Sequence, residues 1–151
     1  MKKLQCFVLF LFSVALIAGC GGPQRPPGLP KLYSCVLTFN FEDGSSVGER
    51  ALATLVPEDA ALNQWSIAGA TDAAGTAIIR TRGDFAGAPA GKYKVTIQKT
   101  DYVETGEKDQ YGDPVTEERS LINGKYGNAS ETPLSLEITG KAVKETFTVE
   151  K

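Results

Sequence analysis

The segment Lys92–Gln98 sets the strongest limit on what this chain can fold into. Tyr93, Val95 and Ile97 alternate there with Lys92, Lys94, Thr96 and Gln98. A period of two puts all the apolar side chains on one face of an extended strand, and that face has to be buried. The same alternation recurs along the chain. Tyr33, Cys35, Leu37, Phe39 and Phe41 share one face of a first strand, with Val36 out of phase. Residues 51–56 form a second strand stopped by Pro57, and 64–70 a third with Trp65 and Ile67 on one face. Residues 76–81 are a fourth and the Lys92–Gln98 segment a fifth. Leu134, Leu136 and Ile138 mark a sixth, and Phe147 and Val149 a seventh.

Turn residues punctuate these runs. Asp43-Gly44-Ser45 and Asp72-Ala73-Ala74-Gly75 are both turn signals, the second with a glycine placed to accept a positive φ. Pro57–Asn63 is the one stretch with the marks of a helical turn: proline at its start, then Glu58 and Asp59. Seven short strands joined by turns predict an all-β fold, a seven-stranded antiparallel β-sandwich over residues 32–151. One segment breaks the rhythm. Thr100–Pro133 is long and polar, and a structureless loop of that length is uncommon. Something other than a hairpin is expected there.

The start of the chain follows different rules. Lys2 and Lys3 precede an apolar run from Phe7 to Ala18 broken only by Ser13, and the run closes on Leu16-Ile17-Ala18-Gly19-Cys20. About 12 apolar residues are too few to span a bilayer, which takes roughly 20. The arrangement resembles a bacterial lipoprotein signal peptide with its lipobox. The resemblance implies cleavage after residue 19 and lipidation of Cys20, so the chain is expected in the cell envelope, held to a membrane by acyl chains. Gly21 rather than Asp follows Cys20, which favours the outer membrane in a Gram-negative cell. Residues 20–31 then form a lipidated tether. Four of the ten residues Gly21–Pro30 are proline and three are glycine, a composition suited to an extended spacer.

Removing residues 1–19 leaves 132 residues, enough for one domain that folds without metal or disulfide. Fourteen basic residues then stand against 18 acidic ones, a mild acidity that reads as spread along the chain. That balance argues against nucleic acid and against electrostatic docking on anionic lipid. Cys6 leaves with the signal, so Cys35 is the one thiol not assigned to lipid. Its place on an apolar strand face favours burial, with an inter-chain disulfide as the alternative.

The catalytic constellations are thin. The chain has no histidine, which removes Ser-His-Asp and Cys-His systems and most zinc sites. Asp101, Glu104, Glu107, Asp109, Asp113, Glu117 and Glu118 crowd the long polar segment. They read as solvated charge, or as oxygen ligands for a hard cation. Gly83–Gly91 lacks the ending of a phosphate loop and reads as a strand connection. Tyr102, Tyr111 and Tyr126 also lie in the polar segment. They either form a candidate binding loop, stacking on a peptide or sugar, or pack that loop onto the sandwich.

Several segments carry a resemblance in their order. They are the lipobox with its Gly/Pro tether, Ala53-Thr54-Leu55-Val56-Pro57-Glu58, and Ala70-Thr71-Asp72-Ala73-Ala74-Gly75-Thr76. Pro89-Ala90-Gly91-Lys92-Tyr93 and Lys125-Tyr126-Gly127-Asn128 with Leu134–Ile138 complete the set. Together they resemble small planctomycete-type lipoproteins with a carboxypeptidase-regulatory-like, or transthyretin-like, domain. The first strand departs from that family's usual Gly-x-Val-Thr opening, with Tyr33-Ser34-Cys35-Val36 in its place. The resemblance implies a prealbumin-like or Ig-like sandwich, no cofactor, and a non-catalytic role. The role would be a structural part of the envelope, or a module binding an envelope protein or glycan. The alternative is a small-molecule hydrolase of the broad transthyretin-like group, whose sites resemble clusters that include histidine.

Overall fold

A computed structural model describes residues 23–151. Residues 1–22, which hold the expected signal peptide with Cys6 and the expected lipidation site Cys20, lie outside the described residues. In chain order the strands are β1 (Leu32–Tyr33), β2 (Cys35–Phe41), β3 (Leu52–Pro57), β4 (Ile67–Ala70), β5 (Thr76–Ile78), β6 (Arg80–Thr81) and β7 (Phe85–Ala86). They continue with β8 (Ala88–Pro89), β9 (Gly91–Gln98), β10 (Thr100–Lys108), β11 (Pro114–Ser120), β12 (Ser135–Ile138) and β13 (Val143–Val149). Two 3₁₀ turns, Ala60–Leu62 and Gly124–Gly127, are the helical elements among the described residues. The first falls inside the Pro57–Asn63 stretch, with the Asp59 carboxylate accepting from the Ala61 N–H at 2.9 Å.

The larger sheet runs β12-β9-β3-β4-β6-β7 and the smaller runs β13-β2-β5. In the larger sheet the apolar residues meet in register across strands: Ala53 faces Ile97, Leu55 faces Val95, and Leu136 faces Tyr93. Cys35, Leu37, Phe39 and Ala77 of the smaller sheet join these in one buried cluster. The two inner faces therefore make a single core, as the alternation requires. Trp65 and Ile67 are both buried, although Trp65 lies just before β4.

Three expectations need correction. Thirteen strands stand among the described residues rather than seven: two expected strands are each cut in two, β10 and β11 form in the long polar segment, and β7 and β8 form within Gly83–Gly91, which was expected to be a plain connection. The expected fourth strand breaks at the buried Ile79, so β5 pairs in the smaller sheet and β6 in the larger. The expected first strand breaks at Ser34, and Tyr33 pairs instead with Ala88. Secondly, the sandwich is not wholly antiparallel. β13 lies parallel to β2, from Val143 opposite Cys35 to Val149 opposite Phe41. Parallel neighbours need a long crossover, and here nearly the whole domain separates the two strands. Thirdly, the tether is not extended throughout. Leu29 closes a turn on the Pro26 carbonyl at 3.3 Å and is itself buried in the core cluster. An Arg25 guanidinium N–H donates to the Leu29 carbonyl at 3.1 Å, which secures that turn.

Polar groups inside the core are paired. The Tyr93 hydroxyl donates to the Pro89 carbonyl at 2.8 Å, and Thr81 donates to Gly87 at 2.8 Å. Thr71 donates to Gly48 and accepts from the Ala51 N–H. Among the described residues no buried side-chain nitrogen or oxygen lacks a partner, as a well-satisfied interior demands. Gly75 takes φ +74° at the turn where a positive φ was predicted, and a Cβ there would come 2.6 Å from the Phe39 carbonyl oxygen.

Candidate functional site

The segment Thr100–Pro133 holds a hairpin, which overturns the expectation that it would not. β10 pairs antiparallel with β11, from Thr100 opposite Ser120 to Lys108 opposite Pro114, with a register shift between Glu104 and Lys108. Residues 109–113 form the tip. The Asp109 carboxylate accepts from the N–H groups of Tyr111 at 2.8 Å and Asp113 at 3.0 Å, and Gly112 supplies a φ of +90°. The Asp109 side chain thus specifies the turn, as acidic residues do at such positions.

The hairpin stands alone. Every residue of β10 is exposed, and in β11 only Val115 is partly covered. Among the described residues no third strand joins it. A two-stranded ribbon with neither face buried is marginal in water, and its open edges are templates for pairing. It emerges where Lys99 ends the run of β9, and the Leu121 N–H donates to the Lys99 carbonyl at 2.8 Å to close its base. The Lys99 ammonium donates to the Val47 carbonyl at 2.7 Å, pinning that base to the sandwich.

The three tyrosines separate. Tyr102 on β10 is 67% exposed and Tyr111 at the tip is 81% exposed, so both rings are open to a partner. Tyr126 is 4% exposed and belongs to the core cluster. It therefore packs the Gly124–Gly127 turn against the sandwich and offers no ring for stacking, a correction to its place in the candidate binding loop. The Lys125 ammonium lies 5.0 Å from the Tyr126 ring and bonds the Glu150 carboxylate at 2.5 Å. That carboxylate pushes the Lys125 pKa up. Val103, 44% exposed, joins the two open tyrosines as an apolar group that sequence reasoning missed. Adjacent on β10, Tyr102 and Val103 face opposite sides of the ribbon, so no apolar alternation announces either.

Charge is concentrated on this element rather than spread along the chain. Residues 100–120 carry seven of the 18 acidic residues against Lys108 and Arg119 alone, a local balance of −5. Among the described residues no three acidic or cysteine side chains converge to hold a metal ion. At the base of the hairpin a crevice of about 210 Å³ opens between Gln98, Thr100, Glu118, Ser120, Ile122 and the turn at Gly124–Gly127.

Cys35 is 1% exposed, and burial pushes its thiol up to about 11. A thiol in that state is a core group, poorly suited to exchange. Burial also raises Tyr93 to about 12, helped by Cys35 nearby.

No protein-family model matches the chain, and no curated protein matches it. Solved structures give partial likenesses. Two crystal structures of the major pilin subunit of Bacillus cereus, one of them a variant, align with TM-scores of 0.45 and 0.46 at 17% and 16% identity. They cover 82% and 81% of this chain, and the chain spans 31% of the pilin's length. A 9R-lipoxygenase from Cyanothece aligns with a TM-score of 0.39 at 15% identity, over 95% of this chain and 20% of that enzyme. At these values the likenesses assign neither a family nor an activity.

Proposed function

We propose that this chain is a lipid-anchored, non-catalytic β-sandwich domain of the cell envelope that presents the hairpin Thr100–Ser120 to a partner. The observation that carries the reading is the hairpin itself: two exposed strands with open edges and the exposed rings of Tyr102 and Tyr111, mounted on a packed core. A ribbon that buries nothing adds little to the stability of the domain, so its role lies in contact. The placing at a membrane rests on Lys2, Lys3, the apolar run and Cys20, with the lipid supplying the anchor and Gly/Pro residues the spacing. The absence of histidine from the whole chain supports a binding role over hydrolysis.

Two arms test the reading. Cells fed labelled palmitate should label the wild type and not Cys20→Ser, and the serine form should leave the detergent phase. Chemical crosslinking in intact cells should trap the wild type in adducts of discrete size. Replacing residues 101–119 by a short Gly/Ser turn should abolish those adducts while the domain still melts cooperatively. Adducts that survive the replacement would overturn the hairpin as the contact element.

A further inference from the structure

The hairpin has two outer edges, and the structure distinguishes them. In an antiparallel ladder, opposed residues alternate between pairs that exchange backbone hydrogen bonds and pairs whose N–H and C=O groups point away. The bond from the Leu121 N–H to the Lys99 carbonyl marks that opposed pair as bonded. Counting from it along the register, Asp101 with Arg119 and Val103 with Glu117 are bonded pairs. Thr100 with Ser120, Tyr102 with Glu118, and Glu104 with Thr116 then turn their backbone groups outward.

On the β10 edge, the outward N–H of Tyr102 is already taken by the Asp101 carboxylate at 2.9 Å. On the β11 edge, the outward groups belong to Thr116, Glu118 and Ser120, and no strand lies along them among the described residues. Pro114 blocks pairing only at the far end. At the near end, Thr100 of β10 lines the 210 Å³ crevice together with Glu118 and Ser120, so the crevice lies across the foot of both strands and leaves the choice of edge to the backbone groups.

Charge selects the occupant. The hairpin's balance of −5 includes Glu117 and Glu118 on β11 itself and Glu104 opposite Thr116. Two copies of this hairpin laid edge to edge would set carboxylates against carboxylates, which is destabilising. An incoming strand with lysine or arginine at alternate positions meets the opposite case.

We propose that the outer edge of β11, Thr116–Ser120, receives an extended, basic segment of a partner protein as an added strand. Backbone bonds to Thr116, Glu118 and Ser120 give the pairing, and Glu117, Glu118 and Glu104 select basic side chains. This rests on the reading of the hairpin as the contact element.

The test uses the full chain in detergent and three short synthetic peptides. One alternates lysine and valine, the second alternates glutamate and valine, and the third is the first with its backbone N-methylated at alternate residues. The lysine peptide should bind and slow amide hydrogen exchange at Thr116, Glu118 and Ser120. The glutamate and N-methylated peptides should bind at least about tenfold more weakly. Thr116→Pro removes an outward N–H that the hairpin does not use and no charge, so the ribbon should persist while lysine-peptide binding falls by a similar factor. The double variant E117Q/E118Q should weaken binding and flatten its salt dependence.

Equal binding of the N-methylated peptide would reduce the contact to charge alone and overturn the proposal. So would protection along β10, or dimers of the chain that pair through β11. If crosslinked adducts depend on the hairpin and yet the lysine peptide leaves β11 unprotected, this proposal falls and the contact reading stands. If the adducts survive loss of the hairpin, both fall.

Discussion

At the residue scale, the period of two identified the core. Val95 and Ile97 sit in the middle of the larger sheet, Val95 fully buried and cross-paired with Leu55, as their alternation with lysine and threonine required. Val95→Ala leaves a cavity between the sheets and should cost about 2–3 kcal/mol, read as a lower denaturant midpoint with unchanged slope. An unshifted midpoint would place Val95 on the wrong face. Cys35 was legible as a buried thiol for the same reason. What sequence could not show was the cost of ionising it. Its pKa stands near 9.0 unfolded and rises to about 11 folded. Between those values the unfolded chain has lost the thiol proton while the folded chain keeps it. The folded state therefore binds more protons, and stability must fall as pH rises from 9 towards 11. Below pH 9 the contribution is complete. Melting temperatures of the wild type and Cys35→Ala across that window should converge as pH climbs, with Tyr93 adding a second decline in both above pH 10. Tyr126 marks the limit of reading single residues. A tyrosine amid polar neighbours has no periodicity to report its burial, and only the closing of the Gly124–Gly127 turn over the core decides it.

At the element scale, the strands that bury one face were readable, and the hairpin that buries neither was not. In β10 and β11 both faces are wet, so charged and polar residues occupy both and the alternation disappears. Its remaining signal is the turn chemistry of Asp109 and Gly112, which marks a reversal of the chain but not the strands on either side of it. A consequence follows for stability. Because the hairpin adds nothing to the core, replacing residues 101–119 with a short turn should leave the melting temperature within a few degrees of wild type, loop closure being weakly dependent on length. The same exposure predicts that limited proteolysis of the native chain cuts first between Asp101 and Arg119, leaving a sandwich that stays folded as a nicked pair. First cleavage within β3 or β9 would show that the ribbon is held more firmly than its burial implies.

At the scale of the whole molecule, sheet membership is the property that local pattern leaves open. The alternation of Phe147 and Val149 announces a strand but not its neighbour, and an antiparallel arrangement was the natural expectation. Instead the chain leaves β12 at the edge of the larger sheet, crosses through residues 139–142, and lays β13 parallel to β2 in the smaller sheet. Phe147 stacks on Phe39 with ring centroids 5.6 Å apart, and Val149 is fully buried. The Lys151 ammonium reaches the Asp43 carboxylate at 2.8 Å. That contact and the Ser45 donors hold this exposed carboxyl well below its usual range. The last strand thus fastens to one near the start of the described residues, and the sandwich closes late in the chain. β2 keeps only the three-residue β5 on its other side. Removing residues 143–151 would strip the longest neighbour from β2 and expose Phe39. The truncated chain should lose cooperative unfolding altogether rather than melt at a modestly lower temperature, while Phe147→Ala alone should cost about 2–4 kcal/mol. Near-ultraviolet circular dichroism and calorimetry decide between the outcomes. A truncated chain that keeps a sharp transition would mean that the larger sheet folds without its lid, and that closure by β13 is a late addition to an already stable core.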